Sequence, residues 1–224
     1  MKKRIVTGAL IAAFGAVAVT GGTLAYFTDT DAKTNTFTMG NVQIALLEEF
    51  GDNDPQTPEK LVPATGSVAA GNLQNAVKKE VTVKNTGSET AYVRVHIAVP
   101  SVFERKLHLD SSERSKATGQ WQWGSKYETT INGVDYDVYP VTYGTALKTE
   151  ETTATNAIDR VYLDNMVTNE QVEQYMEALD EEVQIKVLAE AVQAAGFDDA
   201  ATALNEAFGT PGNYTLDWSG AVNQ

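Results

Sequence analysis

Apolar and polar residues alternate along much of this chain, and a period of two is the pattern of a β-strand with one buried face. The first clear example is Phe37–Leu47, where Val42, Ile44 and Leu46 alternate with more polar neighbours. A loop that contains three prolines follows over residues 48–65. The pattern therefore predicts a first strand that ends near Leu47.

The strongest β signal in the chain lies between Ala76 and Val99. Two alternating runs flank the sequence NTGS at residues 85–88, which is rich in turn-forming residues. In the second run, Arg94 and His96 fall on the more polar side. We expect two antiparallel strands joined by this turn, with one face in solvent and His96 at the surface.

Aromatic residues mark the next β region. Trp121 and Trp123 lie two positions apart and so on the same face of a strand. We expect both rings in the core, and a sugar-binding platform is the alternative. Asn132-Gly133 is the dipeptide favoured in type I′ turns, which predicts a hairpin over Tyr127–Tyr143. Because Pro140 cannot donate a ladder hydrogen bond, we expect an edge strand or a bulge there.

Helical spacing appears first at Thr168. Thr168 and Gln171 fit the capping box S/T-x-x-E/Q, in which each residue hydrogen-bonds the backbone of the other. The apolar residues that follow recur at i, i+3, i+4 and i+7. The spacing predicts a helix that ends near Asp180.

Residues 182–195 contain good helix formers, but their apolar residues alternate, so the residues alone leave a helix and a strand open, and a resemblance given below favours the strand. A second helix should begin at Asp198 and bury Ala201, Leu204 and Phe208. Further short strands are expected at Arg160–Leu163 and Tyr214–Trp218. Roughly eight antiparallel strands with two short helices near the C-terminus predict a mainly β fold, a jelly-roll-like β-sandwich.

The first 25 residues have the pattern of a secretory signal peptide. Lys2, Lys3 and Arg4 precede an apolar run, and the small residues of Thr23-Leu24-Ala25 form a cleavage site. We expect cleavage between Ala25 and Tyr26. A retained membrane anchor is the alternative, since a spanning helix needs about 20 apolar residues. Any membrane contact would be through the uncleaved signal.

The charge of the chain excludes a nucleic-acid partner. The 224 residues include 17 basic and 30 acidic side chains, for a formal net charge of −13. Cleavage after Ala25 would remove three basic groups and bring the net charge to −16. Phosphate backbones are bound by Lys and Arg, so this balance favours a soluble exterior protein instead. The absence of cysteine excludes a disulfide framework and thiolate chemistry.

Candidate metal ligands are few. Asp29 with Asp31, and Asp52 with Asp54, form D-x-D pairs that resemble part of a calcium loop, but the further ligands and the glycine of such a loop do not follow. We expect solvated loops at both places and no cofactor.

The sequence gives little support to an enzyme. The two histidines, His96 and His108, do not form the H-E-x-x-H motif of a zinc peptidase, and no G-x-S-x-G elbow occurs. A metal site made of His96, Glu104 and His108 would require the fold to bring them together. We therefore expect no catalytic residues.

Three segments resemble the TasA/camelysin family of exported matrix proteins of Gram-positive bacteria. They are GGTLAYFTDTDAKTNTFTMGNVQIAL (Gly21–Leu46), VTVKNTGSETAYVRVHIAVP (Val81–Pro100) and IKVLAEAVQAAGFDDAATALNEAFG (Ile185–Gly209). The resemblance implies a jelly-roll sandwich, a signal cut by a dedicated signal peptidase, and export to the cell surface or extracellular matrix. It also implies assembly into biofilm fibres, in which the N-terminal segment of one subunit adds as a strand to the next.

The residues suit such an assembly. Cleavage after Ala25 would free an extended segment, residues 26–40, ahead of a sandwich domain at residues 41–224. Strand addition needs an exposed donor and an unpaired acceptor edge, and Tyr26, Phe27 and Phe37 would anchor the donor in pockets. Head-to-tail contacts propagate as filaments. The expected partners are copies of this chain, the signal peptidase and other matrix proteins.

Two other functions stay open. Camelysin itself is described as a metalloprotease, so the resemblance leaves a cell-surface metalloendopeptidase as an alternative. A surface adhesin that presents Trp121 and Trp123 is a third.

Overall fold

The computed structural model describes residues 28–31, 42–51, 61–112, 119–180, 182–219 and 221. Ten strands and two helices lie in this part of the chain, together with a 3-10 turn at Ser101–Phe103. The strands are β1 (Thr28–Asp31), β2 (Ile44–Phe50), β3 (Val77–Asn85), β4 (Ala91–Pro100), β5 (Leu107–Asp110), β6 (Trp121–Trp123), β7 (Tyr127–Ile131), β8 (Val134–Tyr143), β9 (Arg160–Leu163) and β10 (Lys186–Gln193). The helices are α1 (Asn169–Ala178) and α2 (Ala200–Phe208).

The strands form two antiparallel sheets. Sheet one has the order β1-β10-β4-β8-β6, and β7 also pairs with β8. Sheet two has the order β2-β3-β9-β5. The mainly β fold and the two helices near the C-terminus are confirmed, while the jelly-roll connectivity stays a prediction.

The main core lies between the two sheets. β3 supplies alternating buried residues, among them Val81 and Val83, as its sequence predicts. Val93, Val95 and Ile97 of β4 belong to the same cluster of buried side chains. Trp121 is only 2% exposed and lies in this cluster, and the half-buried Trp123 packs against it. Core packing is therefore confirmed for Trp121, and an exposed platform built on it is excluded.

β3 and β4 do not form the expected hairpin. β3 pairs with β2 and β9 in sheet two, whereas β4 pairs with β10 and β8 in sheet one. The buried Asn85 holds the connection, because its side-chain amide donates to the carbonyl oxygens of Glu89 and Leu147, 2.7 and 2.9 Å away. Alternation indicates which face of a strand is buried, and not which strand it pairs with.

The expected solvent face of β4 is also wrong. All ten residues of β4 are buried, because α2 and the chain after it cover the outer face of sheet one. Tyr92 packs in one cluster with Ala203 and Leu204 of α2. Residues 214–218, expected as a strand, cover this face without regular secondary structure.

The β7–β8 hairpin is confirmed. Asn132 and Gly133 have φ angles of 53° and 85°, the left-handed region that a type I′ turn requires at both central residues. β8 is an interior strand, so the edge position expected for Pro140 is wrong. The ladder is nevertheless interrupted there, since residues 124–126 lie between β6 and β7 opposite residues 139 and 140. Three residues of one strand segment therefore lie opposite two residues of β8, and one extra residue of this kind is a β-bulge.

The helix starts and the late strand follow the sequence closely. Thr168 caps α1 in a capping box with Gln171, with bonds of 3.2 and 3.0 Å. Residues 186–193 form the expected strand, β10. The second helix is capped by Asp199 and not Asp198. Leu204 is buried as expected and Phe208 is half-buried against the same cluster, whereas Ala201 is exposed and Ala200 and Ala203 are buried instead.

Two expected boundaries near the N-terminus change. β2 begins at Ile44, after Val42 and Gln43, and continues three residues beyond Leu47, to Phe50, while residues 37–41 lie outside the described part of the chain. Among the described residues, neither helix is long and apolar enough to cross a bilayer.

Candidate functional site at the edge of sheet one

β1 is the edge strand of sheet one, and it belongs to the segment that the sequence predicts to be a donor. It pairs antiparallel with β10 of the same chain, from Thr28 opposite Val192 to Asp31 opposite Ala189. The solvated loop expected at Asp29 and Asp31 is therefore wrong, because both residues belong to this strand. Ala25, Tyr26, Phe27, Phe37, Asp52 and Asp54 lie outside the described residues.

β10 is the strand that β1 covers. It pairs with β4 over eight positions, from Lys186 opposite Ala98 to Gln193 opposite Ala91. On its other side it has the four pairs with β1. If β1 left, this side of β10 would present a row of unpaired backbone N–H and C=O groups, which is the surface to which another strand adds.

The side chains of β10 are buried on both faces of the sheet. Val187, Ala189 and Ala191 belong to the core between the sheets. Leu188 and Val192 lie in the two apolar clusters on the outer face. Between them on that face is a charged residue, Glu190, which is 1% exposed.

Glu190 is at the centre of a buried polar cluster, which we call the Glu190 cluster: Arg94, His96, Tyr127, Glu190 and Tyr214. Arg94 donates from Nε and Nη2 to Glu190 Oε2, at 3.0 and 2.9 Å. The hydroxyl of Tyr214 lies 2.8 Å from each carboxylate oxygen and 2.8 Å from Arg94 Nη2. This hydroxyl can therefore donate to Glu190 and accept from Arg94.

His96 is fully buried, at 0% exposure, so its expected surface position is wrong. Its Nε2 lies 3.1 Å from Glu190 Oε2, and its Nδ1 lies 3.1 Å from the hydroxyl of Tyr127. A carboxylate only accepts, so Nε2 carries the hydrogen in the neutral ring and Nδ1 accepts from Tyr127. The residue is thus a neutral link between β7 and β10.

The environment fixes the charge of each member of the cluster. Burial lowers the pKa of His96 and raises the pKa of both Tyr127 and Tyr214, with the charge of Glu190 adding to the effect on the tyrosines. Burial alone would raise the pKa of Glu190, but the hydrogen bonds from His96 and Tyr214 and the charge of Arg94 outweigh it, so the pKa is lowered. The cluster therefore holds one anion and one cation.

The cluster joins three strands of sheet one to the chain after α2. Arg94 and His96 come from β4, Tyr127 from β7, Glu190 from β10, and Tyr214 from the chain after α2. Each of these groups is hydrogen-bonded to another member. Arg94 also donates from Nη1 to Asn205 of α2, at 2.9 Å.

The structure does not bring together the metal ligands considered from the sequence. His96 is inside sheet one, whereas His108 is on β5 of sheet two, with its Nε2 3.4 Å from Asp164 Oδ2. The His108 ring stacks on Tyr162, with 4.9 Å between ring centroids. Within the described ranges, no three His, Asp or Glu side chains are grouped so that they could hold a metal ion.

Residues 1–91 match the family model of the camelysin metallo-endopeptidases. This match confirms the resemblance seen in the sequence over that part of the chain, which includes β1, β2 and β3. No curated protein matches the chain. No solved structure matches it either.

We expect the fold to lose much of its stability when the negative charge of Glu190 is removed. In Glu190→Gln, Arg94 would keep its buried charge without a counter-ion, and we expect a loss of about 3–5 kcal/mol in the free energy of unfolding, measured with urea. The matched control is Glu128→Gln, whose side chain is 77% exposed in its ion pair with Lys126. This control should change stability by less than about 0.5 kcal/mol. Equal effects of the two substitutions would contradict the cluster's role.

Because His96 is buried and neutral, we expect the free energy of unfolding to decrease on mild acidification. The ordinary pKa of 6.5 applies to the unfolded chain, whereas burial lowers it in the fold, so the unfolded state binds more protons below about pH 6.5. The free energy of unfolding should therefore decrease as pH falls below that value, by up to about 1.4 kcal/mol per pH unit. Below about pH 4.5, protonation of Glu190 should add a further loss.

Urea unfolding between pH 7.5 and 5.5 measures the slope of the free energy of unfolding against pH, and His96→Gln should reduce this slope. His108→Gln is the control, because it removes the other histidine, which is partly exposed on sheet two. A slope that disappears in the His108 variant and persists in the His96 variant would refute the assignment.

Proposed function

We propose that this chain is a secreted structural protein that assembles into extracellular fibres of a biofilm matrix by donating its N-terminal strand to a neighbouring subunit. The observation that carries the proposal is the antiparallel pairing of β1 with β10. It supports a donor in the segment after Ala25, and it supports β10 as the acceptor edge.

The same segment of another copy could take the place of β1 in its pairing with β10. β1 makes four pairs with β10 and none with a further strand of the described chain, whereas β10 makes eight with β4. A neighbour's residues 28–31 would form the same four pairs with the same backbone groups. Exchange of identical elements between copies costs little, because every hydrogen bond that breaks within a chain forms again between two chains.

The direction of the exchange leads to a filament. One subunit would donate residues 26–40 and receive the corresponding segment at β10, so the contact is heterologous and leaves a donor and an acceptor at opposite ends. Tyr26, Phe27 and Phe37 would anchor the donor in the acceptor subunit. Cleavage after Ala25 would release the donor from the membrane and so control assembly.

The proposed location is the cell surface or extracellular matrix of a Gram-positive bacterium, with the signal peptidase and other matrix proteins as further partners. The match of residues 1–91 to the camelysin model supports this location, because the resemblance to exported matrix proteins includes the same part of the chain. No metal or organic cofactor takes part in the proposed mechanism.

An engineered disulfide tests the exchange directly. The chain has no cysteine, so in Thr28→Cys with Val192→Cys the only disulfide that can form within one chain joins β1 to its own β10. We expect the oxidised monomer to form no fibres by negative-stain electron microscopy, because its donor cannot leave. Addition of a reductant should restore fibre growth.

Two controls define this test. The double variant kept reduced throughout is the reference, and it should form fibres under the conditions in which the oxidised sample forms none. Deletion of residues 26–36 should leave a folded monomer that forms no fibres by itself. Normal fibres from the locked monomer, or from the deletion variant alone, would refute the proposal.

Peptidase activity is the second candidate, because the matching family model is described as a metallo-endopeptidase. Zinc content and casein hydrolysis of the purified mature chain, with and without a chelator, separate the two functions. We expect less than one zinc per chain and no hydrolysis that the chelator removes. Chelator-sensitive hydrolysis that follows bound zinc would make the chain an enzyme.

A further inference from the structure

The three outward-facing residues in the middle of β10 are each held by the chain that follows β10. Leu188 lies in one apolar cluster with Trp218. Glu190 is bonded to Tyr214, and Val192 packs with Ala203 and Leu204 of α2. The outer face of the acceptor strand is therefore covered by α2 and by residues 209–219. We call residues 209–219 the C-terminal clasp.

Side chains attach the clasp to sheet one. Its backbone hydrogen bonds in the described chain are local, such as Asn213 N–H to the Thr210 carbonyl at 3.0 Å. The hydroxyl of Tyr214 instead reaches both oxygens of Glu190 and Nη2 of Arg94. Trp218 supplies a second, apolar attachment, 8% exposed.

Two glycines allow the clasp to follow this path, Gly209 against the clasp's own Tyr214 and Gly212 against Tyr127 of sheet one. Gly209 has a φ of +99°, and a Cβ there would lie 3.3 Å from the Tyr214 ring. Gly212 has a φ of +87°, and a Cβ there would lie 3.0 Å from Cβ of Tyr127. L side chains rarely adopt these φ angles, so the sequence of the clasp is adapted to this path.

We propose that the C-terminal clasp holds β10 in the shape that receives a donor strand, with Tyr214 as its positioning residue; this rests on the proposed function. During exchange, β1 has left and β10 is paired on one side only, with β4. β10 would then be held by β4, by its core-facing side chains and, on its outer face at the buried carboxylate, by the clasp. The hydroxyl of Tyr214 fixes Glu190 during that interval, and the assembly step depends on it.

The test compares two hydroxyl deletions in the full mature chain. Tyr214→Phe keeps the ring of the clasp and removes the bonds to Glu190. Tyr143→Phe is the control, because its hydroxyl is also hydrogen-bonded within the fold, to Gln120 Oε1 and to the N–H of Ala154, each at 3.0 Å, while its ring is buried and that of Tyr214 is half-buried. That hydroxyl contacts no residue of β10 or the clasp in these bonds.

Amide hydrogen exchange of the monomer, resolved by segment, is the first readout. In Tyr214→Phe, we expect the amides of β10 to exchange about tenfold faster or more, while those of β3 in sheet two keep the wild-type rate. Tyr143→Phe should leave β10 unchanged. Wild-type exchange of β10 in Tyr214→Phe, or equal acceleration of β10 in both variants, would overturn the positioning role.

Fibre elongation from wild-type seeds is the second readout, and we expect Tyr214→Phe to elongate several-fold more slowly than Tyr143→Phe. Equal elongation would overturn the role in assembly. If Tyr214→Phe does not fold, Trp218→Leu replaces it, with the same expected loss of β10 protection and the same outcomes against it. Failure of the wild-type chain to form fibres would refute the proposed function, while the exchange rates would still decide whether the clasp holds β10.

Discussion

The buried ion pair between Arg94 and Glu190 is the constraint on which the rest of sheet one depends. The two residues are directly opposite each other in the β4–β10 ladder, and both are almost fully buried. A shift of β10 by one position would turn Glu190 to the other face of the sheet, into the apolar core, and leave Arg94 without its counter-ion. The pair therefore specifies the register of β10 on β4, and through β10 the register of β1.

The same pair requires a third layer outside the sandwich. A charge pair on an open sheet face would be hydrated and would contribute little. α2 and the clasp remove this pair from water and in return supply Asn205 and Tyr214 as hydrogen-bond partners. The covering layer thus explains why His96 stays neutral and why β4 has no solvent face.

Elements that are determined by neighbouring residues could be predicted from the sequence. Burial and strand pairing that depend on a distant segment could not. The Asn132-Gly133 turn and the Thr168 capping box are set by neighbouring residues, and both are observed. The burial of His96 depends on Tyr214, which is 118 positions away. Arg94, His96 and Glu190 did carry a detectable signal. Arg94 and His96 lie in one apolar strand and Glu190 in another, and polar side chains in buried strands require partners.

The pairing of β1 with β10 of its own chain was not predicted, for a different reason. Its sequence, TDTD, has no apolar alternation, because an edge strand can be held by backbone hydrogen bonds alone. β10, in contrast, is fixed by side chains on both faces. The backbone pairs of β1 could form equally with an identical strand of another copy, while the strand that receives it must keep its shape without it. This asymmetry fits the proposed exchange, in which one component moves between copies and the other keeps its shape.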